Sequence, residues 1–271
     1  MKSKYCKWSI IPFVLLLMII SGCEKEDYTL PVKFKMNFTI KDEPILGGSI
    51  VIEEIGLGLK SISILGYREE GGDVFLTRSF DDGDFFVIKP TSNNVSVKLD
   101  IPQGVYNPIS FSYTFQPDEE ESDLVEDLIE WLEDLNEGGD PLELQEGLGN
   151  IIEDYLDDIE PCIMVKGKFT NGSGTKHIVM VVNDPLTFKI LGSNRNGGPE
   201  VVLDKDATNV GNLQLNPSYW FSIITPEMLN SAIVGIIDDK EYILLSKYIN
   251  TQVYTLLYNR IEQSTTLIIN E

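Results

Sequence analysis

The chain changes its hydrophobic period in the middle, and this constrains its fold more than any other feature. Over residues 32–41 apolar and polar side chains alternate. Val32, Phe34, Met36, Phe38 and Ile40 fall on one side, and Lys33, Lys35, Asn37, Thr39 and Lys41 on the other. A period of two marks a half-buried antiparallel strand. Val95, Val97 and Leu99 repeat it, as do Ile109, Phe111, Tyr113 and Phe115. Residues 49–53, 59–66, 73–80, 85–89, 163–170, 177–183, 186–191, 201–203 and 212–215 are further strand candidates. Polar Gly-containing turns separate many of them: Glu70-Gly71-Gly72-Asp73, Asp81-Asp82-Gly83-Asp84, Asn171-Gly172-Ser173-Gly174 and Asn196-Gly197-Gly198-Pro199. Many short strands with such turns predict a mainly β fold. An antiparallel β-sandwich is expected, not alternating βαβ units.

Residues 118–160 break that rhythm. Leu124, Leu128, Trp131, Leu132 and Leu135 recur at helical spacing, and so do Ile151, Ile152, Tyr155, Leu156 and Ile159. Glu137-Gly138-Gly139-Asp140-Pro141 lies between the two stripes. Glycine can end a helix and proline cannot continue one. The spacing predicts an acidic helical hairpin inserted between two strands, with its apolar stripes against the sandwich or each other. Further on, Thr225-Pro226-Glu227 reads as a helix start. Residues 242–246 read as the last strand. Asn250 is expected to cap a closing helix that carries Val253, Leu256, Leu257 and Ile261.

Charge sharpens the contrast. The formal net charge is −22, and 19 Asp or Glu residues lie between Asp118 and Glu160 without one Lys or Arg. So acidic a chain lacks the basic surface that nucleic acid requires, so no nucleic-acid partner is expected. Anionic lipid would not hold it electrostatically either.

The N-terminal region gives an address. Lys2, Lys4 and Lys7 precede an apolar run over residues 10–20, followed by Ile20-Ser21-Gly22-Cys23. That run is short for a membrane-spanning helix and suits a secretory signal. The tetrapeptide resembles the lipobox of bacterial lipoproteins, with Ile20 where Leu is commonest. The resemblance implies cleavage between Gly22 and Cys23 and a diacylglyceryl group on the Cys23 sulfur. Membrane partnership through that lipid follows, since two or more acyl chains anchor stably. Glu24-Lys25-Glu26-Asp27 loosely resembles the acidic stretch that sends Bacteroidota lipoproteins to the outer face of the outer membrane. The expected organisation is a signal over residues 1–22, a tether over 23–31 and one domain over 32–271.

Three passages resemble a group of Bacteroidota lipoproteins with an all-β, Ig-like or sandwich domain: LKSISILGYREEGGDVFLTRSF (59–80), LDIPQGVYNPISFSY (99–113) and LNPSYWFSIITPEMLNSA (215–232), the last followed by residues 242–264. This resemblance implies fold and location. It brings no catalytic or ligand residues with it.

Chemical sites are sparse. With Cys6 in the signal and Cys23 lipidated, Cys162 stands alone and reads as a small buried hydrophobe. His177 is the single histidine, so no histidine-based triad or metal cluster is expected. The acidic stretch lacks the ligand order of a calcium loop, and no metal site or cofactor is assigned. Asp81, Asp82 and Asp84 read as a turn, and Gly56-x-Gly58 as a strand bend. Tyr67, Tyr106, Tyr219 and Trp220 are candidates for stacking on sugar, with Trp220 favoured as core. The sequence therefore points to a non-catalytic binding or structural module with a glycan or an envelope protein as partner. The alternatives are a glycan-processing enzyme with paired carboxylates and a component of a surface filament or complex.

Overall fold

The computed structural model describes residues 30–80, 85–91, 95–117, 122–157 and 159–270. Its strands are β1 (Pro31–Ile40), β2 (Ile50–Arg68), β3 (Val74–Ser79), β4 (Phe85–Ile88), β5 (Ser96–Pro102), β6 (Gly104–Phe115), β7 (Ile163–Asn171), β8 (Gly174–Val182), β9 (Leu186–Asn194), β10 (Val201–Leu203), β11 (Asn209–Leu215), β12 (Gly235–Ile237), β13 (Lys240–Leu245) and β14 (Thr266–Ile269). Its helices are α1 (Ser122–Glu137), α2 (Pro141–Asp157), α3 (Pro217–Trp220), α4 (Pro226–Asn230) and α5 (Thr251–Ser264). The protein is mainly β, with the expected helical hairpin between β6 and β7.

The purely antiparallel sandwich is not what forms. All strands join one hydrogen-bonded network, β12-β13-β8-β7-β2-β6-β9-β14-β11-β1-β5, with β3 and β4 on β2 and β10 on β6. Pairs β1–β11, β13–β8 and β14–β9 are parallel, so the sheet is mixed, and it curls into a half-barrel. The physical reason is chain routing. Helix α5 carries the chain from β13 to β14, and such a crossover lets both strands lie parallel to their neighbours. Edge strands β3 and β5 approach each other, and the Arg78 guanidinium donates to the Lys98 carbonyl.

The sheet is organised around one long strand. The sequence reads residues 49–53 and 59–66 as separate strands with a bend at Gly56-x-Gly58, whereas β2 runs unbroken through them. Gly58 donates its N–H to Cys162 O at 3.0 Å and accepts from Gln116 N at 3.0 Å. Both groups of one extended residue point the same way. Strands β6 and β7 therefore lie end to end along one edge of β2, and the hairpin leaves the sheet at the junction. Strands β8 and β9 continue the pattern outward, separated only by Asn183, Asp184 and Pro185. Strands β13 and β14, with α5 between them, straddle the same level. Glycine is required at this junction, because a Cβ on Gly58 would sit 2.7 Å from Gln116 O.

The alternating faces then fill two cores. Phe34, Met36, Phe38, Phe111, Tyr113 and Leu213 point into the half-barrel, where Phe34 stacks on Phe111 at 5.9 Å. Val253, Tyr254, Leu257 and Ile261 of α5 join this core. Where the hairpin covers β7, β8 and β13 the sheet is buried on both faces. Val165, Ile178, Met180 and Leu245 face the main core, while Met164, Val179, Val181 and Leu244 lie under the hairpin. This explains the unbroken apolar run of residues 178–182, as expected of a strand covered on both sides.

Two strands and one cap differ from expectation. β14, not residues 242–246, is the last strand; it sits between β9 and β11. β12 was not legible as a strand at all. Asn250 adopts φ 51° and makes no side-chain cap to α5. Its amide instead accepts from Ile233 N at 2.8 Å and donates to Ile233 O and Leu244 O, clamping the loop before β12.

Candidate binding face of the helical hairpin

Hairpin geometry follows from the residues identified at its turn. Gly138 takes φ +82°, which ends α1. Asp140 then accepts from Leu142 N at 2.8 Å and caps α2, with Pro141 as its first residue. Leu128, Trp131, Leu148, Ile151, Ile152 and Tyr155 are buried against β7, β8 and β13. Contact with β12 is at backbone distance. A Cβ on Gly149 would lie 2.1 Å from Ile236 O, and one on Gly235 would lie 2.7 Å from Gly149 N. The facing glycines let helix and strand touch.

Trp131 divides the exposed side into two depressions. Its indole N–H donates to Leu144 O at 2.7 Å, and its ring lies where a Cβ on Gly147 would come within 3.3 Å. On one side is an acidic trough of about 440 Å³, lined by Asp127, Glu130, Asp134, Asp140, Glu143 and Asp154. On the other is an apolar groove of about 350 Å³ whose walls include Leu135, Pro141, Leu144, Ala232, Ile233 and Val234. Both depressions share Trp131, Gly139 and Leu144. The trough acids are all solvent-exposed. Among the described residues no group of three or more His, Cys, Asp or Glu is arranged to hold a metal ion.

A wider depression of about 700 Å³ lies beside β2 and the loop after β1. Its carboxylate Glu43 is already engaged: hydrogen bonds from Lys41 and Ser218 hold its pKa below the ordinary value. Lys41 and Glu53, also on its lining, are engaged as well, Lys41 with Glu43 at 2.8 Å and Glu53 with Lys168, so it is the weaker candidate.

The residues singled out in the sequence do not assemble into one site. Gly22 and Cys23 lie outside the described residues, as do Asp81, Asp82 and Asp84. Trp220 is fully buried and donates to Ser264 Oγ at 2.7 Å. Tyr106 is also fully buried, which removes it from the stacking candidates; its hydroxyl donates to Pro102 O. Burial pushes that phenol up to about 12 against the opposing charge of Arg68. Tyr219 is exposed, but the Arg260 guanidinium covers its ring at 3.9 Å. Tyr67 is 46% exposed near the far end of β2. Cys162 is buried, and its thiol donates to Asn183 O at 3.5 Å. His177 stacks on Tyr242 at 4.6 Å; desolvation first, then Lys168, lower its pKa, opposed by Glu53.

The apolar groove was not anticipated, because one wall comes from residues 232–234, far from the hairpin in sequence. The helical stripe through Trp131 was its only sequence signal. No family model matches the chain, and no curated protein or solved structure matches it. Among the described residues no helix is long and apolar enough to cross a membrane.

Proposed function

We propose that this chain is a lipid-anchored envelope lipoprotein, held through Cys23 in the outer membrane and displayed at the cell surface. It acts there as a non-catalytic binding or structural module. The lipobox-like Ile20-Ser21-Gly22-Cys23 motivates the anchor. The observation that carries the module reading is the separation of tether and hairpin along β2. Leu30 enters the fold beside Gln103, and Gln103 O accepts from Arg68 at the C-terminal end of β2. The hairpin leaves the sheet at Gly58, ten residues back along that strand. At about 3.3 Å per residue this is roughly 30 Å. A membrane-held tether therefore leaves the trough and groove open to a partner.

The test is Cys23→Ser in the producing bacterium, read by palmitate labelling and fractionation. Loss of label and release from the membrane are expected. Retained label with full membrane association would overturn the anchor.

A further inference from the structure

The proposed function leaves the ligand open, and the two depressions flanking Trp131 narrow it. We propose that they form one docking site for a cationic amphipathic peptide segment of a partner protein. An apolar side chain of the partner enters the groove at Leu135, Leu144 and Ile233, and its Lys or Arg residues lie in the acidic trough.

Three features argue for this occupant. First, the groove exposes apolar surface that the fold does not use: Ile233 on its wall is 41% exposed. Second, both walls are fixed before any partner arrives. Trp131 is tied to Leu144 O, and Ile233 is clamped through its backbone by Asn250. A preformed cleft saves the ordering cost of binding. Third, charge selects among apolar partners. The trough places six carboxylates beside the groove, and residues 118–160 contain no Lys or Arg. A second copy of this chain would bring like charge to like charge. An anionic ligand would be repelled, whereas a basic segment is steered in and held. A purely cationic ligand would leave the groove empty, and a purely apolar one would leave the trough unused.

The test is titration calorimetry on the chain from residue 24 onward, which contains every described residue. Three synthetic peptides are the probes: an amphipathic Lys/Leu peptide, a Lys/Ser peptide of equal charge and a Gln/Leu peptide of equal apolarity. The Lys/Leu peptide should bind saturably with Kd of about micromolar and lose about tenfold affinity from 50 to 500 mM salt. Each control should bind about tenfold more weakly or worse. Ile233→Ser should weaken the Lys/Leu peptide about fivefold or more with unchanged thermal unfolding. Gln145→Lys, which puts a cation on the groove wall, should do the same if Ile233→Ser fails to fold. Equal binding of Lys/Leu and Lys/Ser peptides would reduce the effect to unspecific charge attraction and overturn the proposal. So would absence of binding, indifference to the folded groove variant, or self-association that Ile233→Ser dissolves. None of these outcomes bears on Cys23 anchoring, which its own labelling experiment decides.

Discussion

The half-barrel and the helical hairpin are built on opposite terms. The half-barrel encloses a large aromatic core drawn from strands far apart in sequence, and some of its lysines pair with acids on neighbouring elements, as Lys33 does with Asp100 at 2.7 Å. The hairpin is local, its core is small, and its surface carries one sign of charge. Burial against β7, β8 and β13 must offset repulsion among exposed carboxylates. The difference teaches that the hairpin is held by docking, not by its own helices, and that it can fail while the barrel survives.

The largest expected effect comes from cutting the barrel core. Phe111→Ala removes a fully buried ring that contacts Phe34 and Tyr113. It should cost about 3–5 kcal/mol and lower the stability of the whole domain in urea unfolding. If only the hairpin signal shifted, the barrel would not be the dominant core. Gly149→Val aims at the other region. Its side chain would collide with the Ile236 carbonyl, and a cost of about 1–3 kcal/mol is expected. Loss of helical circular dichroism at a lower temperature than loss of strand signal would be the readout; a single shifted transition would contradict separate failure.

These contrasts also explain what the sequence made legible. The alternation over residues 32–41 and the Gly138-Gly139-Asp140-Pro141 turn act locally, so strand β1 and both hairpin helices could be read directly. Strand β14 is four residues long and directly follows α5, and its partners Gly192 and Gly211 lie far away. Its Thr266-Leu267-Ile268-Ile269 run favours a strand by composition, but it is too short to stand apart from the helix before it. The continuity of β2 depends on Gly58 serving both β6 and β7, a tertiary fact. Asn250 has the composition of a cap, yet its left-handed backbone turns the amide toward Ile233. The candidate groove was hidden for the same reason, since its second wall is brought in by that clamp. Cys23 was the most chemically specific assignment, and it lies outside the described residues.

Smaller perturbations sharpen the comparison. Asp140→Ala removes the cap of α2 and should cost about 1 kcal/mol, seen as reduced thermal stability of the hairpin alone. Raising salt from about 50 to about 500 mM should raise hairpin stability, because screening weakens repulsion among its carboxylates. The barrel should respond less. A hairpin melting point that fell or stayed constant would contradict a repulsive surface. The smallest effect is expected at His177. Its folded pKa lies below the ordinary 6.5, mainly through desolvation. The unfolded chain therefore takes up the proton first as pH falls, so stability declines from about pH 6.5 toward the lower folded value. His177→Gln should flatten that part of the pH–stability profile; an unchanged slope would assign it to other groups.

Native-state hydrogen exchange on the chain from residue 24 onward measures the central contrast most directly. Amides of α1 and α2 should exchange through an opening of lower free energy than those of β1, β6 and β11, and added salt should slow exchange in the hairpin selectively. A single opening free energy shared by hairpin and barrel, with no selective response to salt, would contradict a hairpin held by docking against its own charge.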